Sequence, residues 1–135
     1  MRKVIVLMAI IMVFAVVAFF ASPALAQEAK RMSIEELKGM LGNPDLVIVD
    51  VRRDGDWKSS NVKIKGAVRE DPEKGGTWMS KYPKDKSLVF YCARTSEYTS
   101  ARVAQQFMKE GYSKVFALKG GWNEWEKSKY PTEPK

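Results

Sequence analysis

The 135-residue chain has a single cysteine, Cys92, and no histidine. The missing histidine excludes a Ser-His-Asp triad, a Cys-His pair and any histidine-ligated metal site, so no metal is expected. One thiol also leaves no Cys-x-x-Cys and no second cysteine to resolve a mixed disulfide, which disfavours thiol–disulfide exchange. Two readings of Cys92 remain. It is a buried structural cysteine, a common fate for a free thiol, or it is a nucleophile whose surroundings favour negative charge on sulfur.

Spacing favours the second. Ser87-Leu88-Val89-Phe90-Tyr91 reads as a buried strand, and Cys92 stands at its C-terminal end. Thr99 to Glu110 is helical in pattern, with Val103, Ala104, Phe107 and Met108 on one face and Gly111 as the stop. Ala93, Arg94, Thr95, Ser96, Glu97 and Tyr98 connect the two. A loop this short, feeding a helix N-terminus, can turn several backbone N–H groups toward one point and hold an anion there. These six residues are the expected substrate- and anion-binding loop, with Arg94 adding positive charge and Thr99 and Ser100 supporting it. Tyr91, by strand alternation, faces the other way and is expected in the core.

The remaining elements must place this loop. Ser33-Ile34-Glu35-Glu36 is a capping-box pattern and predicts a helix to about Leu41. Gly42-Asn43-Pro44-Asp45 reads as a turn, and Leu46-Val47-Ile48-Val49 as a strand buried on both faces. Asp54 to Ser60 suggests a short helix, Gly66-Ala67-Val68 a brief strand, and Pro72 to Tyr82 a polar excursion with a helical turn at Trp78 and Met79. Val115-Phe116-Ala117-Leu118 is the last strand, and Gly120-Gly121 turns into a helix carrying Trp122 and Trp125. Strands alternating with helices predict an α/β fold with a mainly parallel sheet, whose ligand crevice lies at the C-terminal strand ends. Asp50 and Cys92 both fall there. Asp50 and Arg52 are expected as an ion pair that braces the loop, with substrate contact as the alternative. Trp57, Trp122 and Trp125 read as packing residues, and Lys58, Lys63 and Lys65 as a solvated face or an anion-steering one.

Four segments together resemble one family. Val49-Asp50-Val51-Arg52, Gly66-Ala67-Val68, Phe90-Tyr91-Cys92-Ala93 and Leu118-Lys119-Gly120-Gly121-Trp122 with Trp125 are similar, in order and spacing, to the motifs of rhodanese-like domains. The resemblance runs from roughly Ser33 to Lys129. It implies a central, mainly parallel sheet flanked by helices on both faces. It implies a sulfurtransferase with Cys92 catalytic, taking sulfane sulfur from a small sulfur-containing anion such as thiosulfate, or from a persulfide or polysulfide. A thiol, cyanide or a protein would then accept sulfur from a Cys92 persulfide, with no other cofactor. The alternative within the family is a non-catalytic binding or persulfide-relay module. Many rhodaneses carry arginine five residues after the cysteine; here that residue is Glu97, a pattern similar to a subgroup of small bacterial rhodanese-like proteins. Cysteine phosphatases require arginine six residues after the cysteine, and Tyr98 stands there instead.

The N-terminus is read apart from the fold. Arg2 and Lys3, the apolar run Val4 to Ala21, and Ala24-Leu25-Ala26 follow the order of a secretory signal peptide over residues 1–26. Export to the bacterial periplasm is expected, with an uncleaved membrane anchor holding the domain outside the cytoplasm as the alternative. Residues 27–31 read as a linker, 32–129 as the domain and 130–135 as a charged tail. The chain carries +7; loss of residues 1–26 removes two of 23 basic residues and none of 16 acids, leaving +5. Bases and acids alternate, as in Lys81-Tyr82-Pro83-Lys84-Asp85-Lys86. That predicts a solvated basic surface and no nucleic-acid partner.

Overall fold

A computed structural model describes residues 27–135; the expected signal peptide or anchor, residues 1–26, lies outside the described residues. The elements in chain order are β1 (Lys30–Met32), α1 (Ile34–Met40), β2 (Leu46–Asp50), α2 (Asp54–Lys58), β3 (Val62–Ile64), β4 (Val68–Arg69), α3 (Gly75–Trp78), β5 (Ser87–Tyr91), α4 (Tyr98–Lys109), β6 (Val115–Leu118), α5 (Gly121–Lys127) and β7 (Thr132–Pro134). Single 3₁₀ turns at Pro72–Lys74 and Met79–Lys81 flank α3.

β1, β6, β5, β2 and β4 form one sheet in that order, with every pairing parallel. β5 and β2 are central and carry the longest register, from Leu46 opposite Ser87 to Asp50 opposite Tyr91. Both are apolar on both faces because helices cover both. Alternation along these strands builds two cores. Val49, Leu88 and Phe90 pack with Trp78 of α3 and Val103, Ala104 and Phe107 of α4. Ile48, Val89, Tyr91 and Leu118 pack on the other face with Leu37 of α1 and Trp122 and Trp125 of α5. Phe90 and Phe107 meet at 4.8 Å between ring centroids, the joint that fixes α4 against β5.

α1 starts as expected: the Ser33 hydroxyl accepts from the Glu36 N–H at 3.1 Å, and the Glu36 carboxylate accepts from the Ser33 N–H. Four short strands differ from the sequence reading, β3 among them, where no strand is expected. Lys30 and Arg31 of the expected linker lie in β1, which pairs Lys30 with Phe116 and Met32 with Leu118. Thr132–Pro134 of the expected tail forms β7, antiparallel to β3. The strand expected at Gly66 starts at Val68, because Gly66 takes φ 81° in a turn. These strands are two or three residues long, too short to carry a periodicity. Charge and proline suit them to exposed edges.

Candidate active site

β5 delivers the cysteine. Leu88 and Phe90 face α4, so Cys92, the next residue on that alternation, also turns toward α4. Its Sγ lies 3.6 Å from the hydroxyl of Ser100 and 4.0 Å from the Arg94 carbonyl. Cys92 is only 5% exposed, and it opens into a cavity of about 200 Å³. Ala93, Arg94, Ser96, Tyr98 and Thr99 line this cavity with Cys92, and Arg53 and Asp56 close its far side.

The loop is shaped from behind by α5. The Trp122 N–H donates to the Cys92 carbonyl at 2.8 Å, and the Asn123 N–H to the Ala93 carbonyl at 3.1 Å. A trans peptide points its N–H opposite its C=O. Two carbonyls drawn to α5 therefore send the Ala93 and Arg94 N–H groups the other way. The N–H groups of Ala93, Arg94, Thr95 and Ser96 have no hydrogen-bond partner among the described residues. Unpaired amides on a tight loop ahead of a helix form a cradle for negative charge. Gly121 makes this approach possible: it adopts φ 57°, and a Cβ there would collide with the Cys92 carbonyl oxygen. The sequence marks Gly121 as a turn residue; its contact with the loop becomes visible only in three dimensions.

Asp50 and Arg52 lie beneath the loop, fully buried, and do not line the cavity. Asp50 accepts from Arg52 Nε at 3.0 Å, Arg52 Nη2 at 2.7 Å and the Arg52 N–H at 3.0 Å. Tyr91 donates its hydroxyl to Asp50 at 2.7 Å and accepts from the Ile64 N–H. Arg52 Nη2 also donates to the Val62 carbonyl, and its guanidinium lies 4.4 Å from the Trp122 ring and 5.1 Å from that of Trp57. The pair thus ties β2, β3, β5 and α5 together. Burial, and next the Asp50 carboxylate, push the Tyr91 hydroxyl far above the usual tyrosine range.

Two expected loop residues face elsewhere. Thr95 and Glu97 line a groove on the opposite side of the loop with Ser33, Glu35, Lys119 and Glu124. Conversely, Arg53 and Asp56 were not expected. They follow Asp50 and Arg52 at the C-terminal end of β2, and that strand-end position is the only signal that marks them. Arg53 and Arg94 are exposed and have no carboxylate partner among the described residues.

A parallel α/β sheet with a thiol at the end of a central strand, set in a loop of free amides, defines the class. The family model of the rhodanese-like domain matches residues 33–128, and the chain belongs to that family. It is 28% identical over 94 residues to the thiosulfate sulfurtransferase GlpE of Glaesserella parasuis, covering 70% of this chain and 83% of that protein. It is 29% identical over 103 residues to the thiosulfate sulfurtransferase GlpE of Coxiella burnetii, covering 76% and 92%. The solution structure of a rhodanese-like domain from Anabaena sp. superposes with a TM-score of 0.66 at 25% identity, over 81% of each chain. A structure from Rhodopseudomonas palustris, described as a possible tyrosine phosphatase, superposes with a TM-score of 0.67 at 24% identity over 78% and 85%, a likeness of fold alone.

Proposed function

We propose that the protein is a rhodanese-type sulfurtransferase that carries sulfane sulfur on Cys92. The observation that carries this reading is the Cys92 sulfur at a small cavity lined by Ala93, Arg94 and Ser96, whose N–H groups have no partner among the described residues, and by Arg53, which like Arg94 has no carboxylate partner there. The thiol first loses its proton, and the chain has no histidine to take it. With thiosulfate, the Cys92 thiolate attacks the outer sulfur, the S–S bond breaks, and sulfite leaves with the electron pair. The loop amides receive the charge of the persulfide that results. Cyanide or a thiolate then attacks the outer persulfide sulfur and returns the Cys92 thiolate. Both steps are displacements at sulfur and need no further cofactor. A polysulfide or a protein persulfide can stand in for thiosulfate without changing the balance.

Arg53 and Arg94 supply the positive charge for an anionic sulfur source. Replacing either with glutamine should raise the half-saturating thiosulfate concentration about fivefold or more, with the effect shrinking at high salt. Thiocyanate release from thiosulfate and cyanide measures this; unchanged half-saturation in both variants contradicts the assignment. The absence of an arginine five residues after Cys92 favours one second reading, a relay module that takes sulfur from a protein persulfide. It would form the Cys92 persulfide from such a protein but not from thiosulfate. Residues 1–26 support export and residence outside the cytoplasm. The N-terminal residue of the protein recovered from cells is then Gln27; Met1 contradicts cleavage.

A further inference from the structure

Glu97 stands where many members of the family carry an arginine, yet its side chain leaves the cavity. Its Oε1 accepts from Arg31 Nε of β1 at 3.0 Å, and Arg31 Nη1 donates to the Ala29 carbonyl at 2.6 Å. Glu97 also adopts φ 51° and ψ 18°, the left-handed region, one of two non-glycine residues with positive φ among the described residues. A side chain in that region is strained and persists only where its surroundings hold it.

The same residue connects to the nucleophile through its backbone. The Glu97 N–H donates to the Arg94 carbonyl at 3.2 Å and closes the loop. The Glu97 carbonyl accepts from the Ser100 hydroxyl at 3.1 Å, and that hydroxyl lies 3.6 Å from Cys92 Sγ. A continuous path therefore runs from β1 through Arg31, Glu97 and Ser100 to the sulfur.

We propose that Glu97 is a positioning residue whose ion pair with Arg31 fastens the Cys92 loop to β1 and takes no part in binding the sulfur source. This rests on the sulfurtransferase reading. It explains how glutamate can occupy this position beside an anion site: the charge is spent on Arg31, on the far side of the loop. The pair is partly exposed, with side chains 36% and 14% accessible, so its share of global stability is small.

The test is a charge swap. Arg31→Glu, Glu97→Arg and the double variant are compared with the parent protein in single-turnover persulfide formation from thiosulfate and from polysulfide. Each single variant should lose about tenfold in the maximal loading rate, as expected when a nucleophile is misplaced. Half-saturation should move less than about twofold, and melting temperature less than about 5 °C. The double variant should recover most of the rate. A double variant no better than the singles overturns the proposal. So does a Glu97→Arg protein with a markedly lower half-saturating thiosulfate concentration, because the side chain then reaches the sulfur source. Alkylation of Cys92, the single cysteine, by iodoacetamide reports the loop without any sulfur source. It should shift at least about threefold in each single variant and return in the double. If the parent takes up no sulfur, the sulfurtransferase reading fails on its own, and the alkylation series still decides whether Glu97 positions the loop.

Discussion

Tyr91 stands one residue before Cys92 and carries two buried hydrogen bonds, one to the Asp50 carboxylate and one from the Ile64 amide. Tyr91→Phe leaves both partners short and should cost about 1–3 kcal/mol. The same hydroxyl makes a pH prediction. Its pKa is raised in the folded protein above the ordinary value of 10.0, first by burial and then by Asp50. The folded state therefore holds the proton more tightly, and the associated stability is fully present below about pH 10 and lost as pH rises above it. Tyr82, raised by burial and by its hydrogen bond from the hydroxyl to Glu70, acts in the same direction. Urea titrations at pH 9 to 11 should show a steeper loss in the parent than in Tyr91→Phe (a pH window set by the tyrosine values). Equal slopes contradict the buried arrangement. Cys92 was legible in the sequence because it ends an apolar strand before a helix. The outward turn of Glu97 was not, since it depends on a left-handed backbone and on an arginine 66 residues away.

At the scale of elements, α5 decides the shape of the loop. Gly121→Ala places a Cβ against the Cys92 carbonyl at a left-handed φ. It should cost more than about 1–2 kcal/mol and slow sulfur uptake by Cys92. Gly39→Ala is the control: it lies in α1 with open space around the added methyl, and should raise stability by about 0.5–1 kcal/mol. Thermal unfolding of the two variants checks this; equal effects would remove the case for α5 as the loop's support. β2, β5, β6, α1 and α4 were legible because each has a long enough apolar run or a cap. β1, β3 and β7 were not, because a strand of three residues is too short to show a period and is defined by its neighbour rather than by its own pattern. Arg53 and Asp56 were missed for a related reason: β2 and β5 bring them to Cys92 only once the parallel pair is formed.

Across the whole molecule, the folding unit is larger than the family match. The match spans residues 33–128, while β1 and β7 lie outside it. Ala29 and Met32 are buried, and β1 carries Arg31 to the loop. A chain starting at Ser33 should lose about 2–5 kcal/mol relative to one starting at Gln27, the scale of deleting a buried methionine side chain. Denaturant unfolding of the two measures it, and equal midpoints would show that β1 is dispensable. Among the described residues no helix is long and apolar enough to cross a membrane.

The account turns on sulfur reaching Cys92. The most direct measurement is the intact mass of the protein after incubation with thiosulfate and, separately, with polysulfide. The account predicts the gain of one sulfur atom, removed by cyanide and absent in Cys92→Ser. A protein that gains no sulfur from either source, or a Cys92→Ser variant that gains as much as the parent, contradicts it.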